Sequence, residues 1–224
     1  MIRVSVLTSV TALILAGAAG PVLASDDDDH DKVLGSVHVQ PGEHVDKATT
    51  VNGSVDIGAN AVVKHAETVN GSITVHEHAA VDSVETVNGS IHIEQGAHVA
   101  GKVELVNGKT TLDAGADVGG RVSIVNGSIQ LTAAHVGGGI ETTNGNLTIG
   151  ANSRVEGGIL YEETHESWFS FLWAPEVPRV VIEPGAIVKG TLRFRREVKL
   201  YVSDQATIGT VEGATVIKFS GAHP

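Results

Sequence analysis

Apolar residues recur every six positions over the first half of the chain. Val33, Val39, Val45, Val51, Ile57, Val63, Val69, Val75, Val81, Val87, Ile93 and Val99 all carry a β-branched side chain. Such side chains favour extended backbone, and in a strand alternate residues face opposite sides. Triplets such as Val55-Asp56-Ile57, Ile73-Thr74-Val75 and Ile91-His92-Ile93 therefore turn two aliphatics inward and one polar residue outward. The whole six-residue register is expected to face the core. A helix would need a period near 3.6, which the pattern lacks.

A second repeat sets the size of the larger unit. Val-Asn-Gly recurs with its Asn at 52, 70, 88, 107 and 126, and a Thr-Asn-Gly variant adds Asn144, so the spacings are 18, 18, 19, 19 and 18. Three six-residue units, each a short strand and a corner, close one roughly triangular coil of about 18 residues. Successive coils pair in parallel at about 4.8 Å. One coil cannot bury its own face, so the core is made by stacking. The expected fold is all-β: a single-stranded parallel β-helix, or β-solenoid, over residues 33–219. Asn52, Asn70, Asn88, Asn107, Asn126 and Asn144 then stack at one corner. A structural ladder of amide–amide hydrogen bonds is expected there, with Asn accepting a left-handed backbone. A ligand-binding row is the alternative. The Asn-Gly-Ser triplets match a glycosylation sequon, but only because the repeat contains them.

A third signature is Gly96-Ala97-His98-Val99-Ala100-Gly101-Lys102-Val103, repeated as Gly115-Ala116-Asp117-Val118-Gly119-Gly120-Arg121-Val122 and Gly185-Ala186-Ile187-Val188-Lys189-Gly190-Thr191-Leu192. Over coils of about 18 residues, this pattern resembles the bactofilin, or polymer-forming cytoskeletal, family. The resemblance implies coil ends that stack into filaments, a scaffolding role at the cell envelope, and no nucleotide or other cofactor. Bactofilins are typically cytoplasmic, and here the chain departs from them. Residues 1–24 read as a secretory signal: Arg3, an apolar stretch from Val4 to Ala19, and small residues before a cut after Ala24. The protein is thus expected to be exported, to the periplasm or cell envelope. The apolar stretch is shorter than the roughly 20 residues of a membrane-spanning helix. Residues 25–32, with five Asp, read as an acidic disordered linker; a cation site is the alternative.

The repeat breaks at 161–179. That insertion holds both Trp, two of four Phe and one of two Tyr. Trp168, Phe169, Phe171 and Trp173 either pack as a flap on the solenoid or form a contact patch for an envelope partner.

Composition narrows the chemistry. The chain has 224 residues, no Cys, 15 Lys+Arg against 26 Asp+Glu, and a net charge of −11. No Cys means no disulfide, thiol or Cys-ligated metal chemistry. The acidic balance argues against nucleic acid as a partner. The 11 His invite a metal reading. Alignment of coils puts His44, Val62, Ala80, His98, Asp117, His135 and Arg154 in one outward column, with its His in non-adjacent coils. His76 and His78 are expected on one strand, pointing the same way without a third ligand. Asp56, Glu94, Asp113 and Glu141 read as scattered solubilising groups. No catalytic, cofactor or metal residues are therefore assigned. Six-residue periods also occur in acyltransferase β-helices, yet His165 has no supporting constellation.

Two functions of different class follow. One is a non-enzymatic envelope scaffold that self-associates, as a homo-polymer or oligomer, through coil ends that both look uncapped. The other is an exported, adhesin-like, monomeric binding module that uses its flat faces or the 161–179 loop.

Overall fold

The computed structural model describes residues 29–163 and 176–224. These residues form 22 strands and no helix, each strand pairing in parallel with the one a turn away. The result is a β-solenoid of about 10 turns. Each turn contributes three strand segments. One column begins Val37–Val39, Val55–Ile57 and Ile73–Val75. A second includes the two-residue strands His98–Val99, Asp117–Val118 and His135–Val136. The third begins the longer strands Val103–Leu112, Val122–Leu131 and Ile140–Ile149, which run on through Asn-Gly into the first column.

The core is a stack of aliphatic columns. Val39, Ile57, Val75, Ile93, Leu112, Leu131, Ile149, Ile182 and Val202 succeed one another in register, all fully buried. Burial of each such side chain contributes roughly 1.5–3 kcal/mol. The column ends on Lys218, paired with Val202 and exposed, in the last strand Val216–Phe219. An inward-register lysine on an edge strand opposes further pairing. Among the described residues both end strands are paired on one side only, but the C-terminal one sets a lysine in the core register.

Three expectations are corrected. First, the six-residue register is not inward throughout. Val33 is 54% exposed, and Val51, Val69 and Val87 are half-buried, while the preceding Thr50, Thr68 and Thr86 are buried. Their hydroxyls donate across the corner to the Gly35, Gly53 and Gly71 carbonyls at 2.8–3.1 Å. Inward Thr thus satisfies a carbonyl that Val leaves bare, and the alternation sends Val outward. Second, the Asn column does not carry the left-handed backbone. That conformation falls on another corner: Gly42, Asn60, His78, Gly96, Gly115, Ala133, Asn152 and Gly185, with φ from 46° to 75°. A small buried residue follows at Ala61, Ala79, Ala97, Ala116, Ala134, Ser153 and Ala186. The Gly-Ala signature is this corner. Third, a strand already begins at Asp29, inside the acidic 25–32 segment. Asp29–Leu34 pairs with Lys47–Asn52, Thr49 donates to Asp31, and Lys47 lies 3.5 Å from Asp29. Backbone pairing and these contacts offset the repulsion among the carboxylates.

Candidate functional site

Stacking turns equivalent positions of successive coils into continuous columns along the axis, so the outer chemistry is arranged as ladders. In the Asn column, each amide nitrogen donates to the side-chain oxygen one coil earlier. Asn70 bonds Asn52 at 3.0 Å, Asn88 bonds Asn70 at 3.1 Å, Asn107 bonds Asn88 at 3.0 Å and Asn126 bonds Asn107 at 3.1 Å. Asn144 instead accepts from Arg196 at 3.2 Å. The following glycines stack so closely that a Cβ on Gly71 would lie 1.8 Å from the Gly53 oxygen. Close backbone approach, rather than Asn itself, demands Asn-Gly here.

Histidine and carboxylate also alternate along the axis in two other regions of the surface. His38 Nδ1 is 2.7 Å from Asp56, whose other oxygen is 2.6 Å from His76 Nε2; His76 Nδ1 is 2.9 Å from Glu94. His92 contacts Asp113 at 2.7 Å. On another corner, Asp117 lies between His98, at 2.7 Å, and His135. Glu156 follows, held by Lys189 and Arg154. The hydrogen bond to Glu94, with help from Asp56, holds the His76 imidazolium above its ordinary range despite partial burial. Burial pushes the Asp117 carboxyl up, but the bonds from His135 and His98 outweigh it and hold it low. Lys189 and then Arg154 draw Glu156 down to about 2.

The His of the outward column do lie in non-adjacent coils, but Asp117 in the coil between bridges His98 and His135. Asp56, Glu94 and Asp113 are likewise partners of histidine. His76 and His78 do not point the same way along a strand; His78 sits at the left-handed corner with φ 61°. Sequence spacing places residues in columns, but only the register tells which neighbours touch. Among the described residues, no group of three or more His, Asp or Glu is placed to hold a metal ion.

A third column is acidic and partly sealed. Asp31, Thr49, Glu67, Glu85 and Glu104 stack in register, followed by Ser123 and Glu141. Glu85 is 5% exposed and Glu141 8%. Lys102 bridges Glu85 at 2.9 Å and Glu104 at 2.8 Å, and Arg121 pairs with Glu141. Further along the same face lies a shallow notch of about 460 Å³ over Gly139 and Gly158, between Arg121 and Arg193. Both arginines are already paired, Arg193 with Glu212 at 2.7 Å. Trp168, Phe169, Phe171 and Trp173 lie outside the described residues.

These features define a β-solenoid whose outer faces carry hydrogen-bonded and ionic ladders. No family model matches the chain, and the searches of curated proteins and of solved structures find no match.

Proposed function

We propose that this protein is a non-enzymatic structural element of the cell envelope, bactofilin-like in its use of coil ends, and that it pairs with a second copy through its N-terminal coil. One observation carries this reading. The first strand, Asp29–Leu34, is paired on one side only among the described residues, and it leaves Val33 and Leu34 54% and 75% exposed. A free edge with apolar side chains recruits another strand. The opposite end places Lys218 at the head of the core column, which disfavours head-to-tail growth. Contact between identical N-terminal ends is self-complementary and closes at two copies. The signal-like residues 1–24 support an exported location. Scaffolding needs only a rigid rod of stacked coils, roughly 48 Å for about 10 turns.

Light scattering coupled to gel filtration of residues 25–224 tests this. A dimer is expected, strengthened by salt because Asp29 and Asp31 of the two copies repel. Leu34→Lys should give a folded monomer whose melting no longer depends on concentration, whereas Ile217→Lys at the other end should leave the dimer intact. A monomer at high concentration and at every salt concentration overturns self-association, and the monomeric binding module then becomes the better reading.

A further inference from the structure

The acidic column contains one step that lacks the cation its neighbour has. Lys102 stands two residues before Glu104 and reaches both Glu104 and Glu85 of the preceding coil. One coil earlier, the position in register with Lys102 is Ser83, two residues before Glu85. A serine hydroxyl cannot span to Glu67 of the coil before, and Ser83 is engaged by His65 at 2.9 Å. Glu67 and Glu85 are nonetheless direct partners in register. Lys102 takes one oxygen of Glu85, while the other, Oε2, is buried with no hydrogen-bond partner among the described residues. A buried carboxylate oxygen left unpaired is costly. It is also sealed from solvent, so water does not complete it.

We propose that Glu67 and Glu85 share one proton across the coil interface. A carboxylic acid–carboxylate hydrogen bond then clamps this step where the next step uses a lysine. Glu67 is the member that carries the proton, because Glu85 is the one paired with Lys102. The groups facing Glu67 agree. Glu85 lies ahead of it and uncharged Thr49 behind, in register. Asp31 lies one coil further back, and Lys102 acts mainly on Glu85 and Glu104. His65, on the same strand, is turned to Ser83. Burial first, and then the Glu85 charge, push the Glu67 carboxyl above its usual range, and Lys102 offsets this only in part. Stability from this clamp is therefore full below the ordinary carboxylate pKa of 4.5 and is lost as pH rises through the higher folded value.

Carbon-13 NMR titration of the Glu67 carboxyl in residues 25–224 reads the proton directly. The expected midpoint lies above 4.5 in the wild type, and Ser83→Lys, which supplies the missing cation, should bring it below 4.5. Glu67→Gln should melt higher than wild type at pH 8 and lose that advantage at pH 4. A wild-type Glu67 midpoint at or below 4.5 overturns the proposal. So does a Glu67→Gln melting difference that is the same at both pH values.

Discussion

Replacing Gly108 with alanine puts the close stacking of the coils under direct stress. A Cβ on Gly108 would sit 1.6 Å from the Gly89 carbonyl oxygen, where real contacts stay beyond 3.0 Å. The neighbouring backbone must retreat by about 1.4 Å, and that oxygen belongs to a paired strand with no flexible end to swing aside. Hydrogen bonds now near 3 Å, including Asn107 to Asn88 and Asn126 to Asn107, would stretch past any useful length. Loss of three or four bonds at about 1 kcal/mol each, plus strain from a positive φ, gives about 4–6 kcal/mol. Gly115→Ala, in the same turn, is the control. Its φ is +75°, but the nearest atom to the added Cβ is 3.7 Å away, so only the conformational cost of about 1–2 kcal/mol applies. Urea unfolding of both variants gives the comparison, and hydrogen exchange should localise the Gly108→Ala damage to the coils around residues 84–131. A Gly108→Ala cost no larger than that of Gly115→Ala would refute the argument that backbone contact, and not turn conformation, selects glycine after Asn.

Other outcomes follow from single side chains. Thr110 is buried between Ile91 and Ile129 with its hydroxyl unpartnered among the described residues, so Thr110→Val should raise stability by about 1 kcal/mol in urea melts. Asn88→Ala removes two ladder bonds at an exposed corner and should cost about 1 kcal/mol by the same measure. His76 has its folded pKa raised by Glu94 and Asp56. Its contribution is therefore complete below the ordinary value of 6.5 and falls away as pH rises through the higher folded value; the Tm gap between wild type and His76→Gln should shrink over that window. Glu156, drawn down to about 2, acts in the opposite sense: its contribution is present above 4.5 and disappears as pH falls towards 2, which Glu156→Gln should abolish in acid melts.

The sequence by itself determined the solenoid, the length of its turn and the stacking of the Asn column. Those properties are periodic, and a period of six with a larger repeat of 18 or 19 leaves the chain one way to bury its aliphatic residues. It did not determine which member of Thr50-Val51 or Thr68-Val69 faces inward, since both are β-branched and differ by one position; the carbonyls of Gly35 and Gly53, which need a donor, settle it. Nor did it show that Asp117 joins His98 to His135, or that Glu85 hides an oxygen beside Glu67. Those contacts join residues 18 or 19 apart, and whether two columns lean together or apart is a matter of coil register and burial. Lys218 illustrates the same limit at the C-terminal end. In sequence it is one lysine in a final strand, but in register it replaces an aliphatic residue in a column that is fully buried from Val39 to Val202. The tertiary structure decides the chemistry of the surface because each outer group acquires its charge and partners from the coils above and below it.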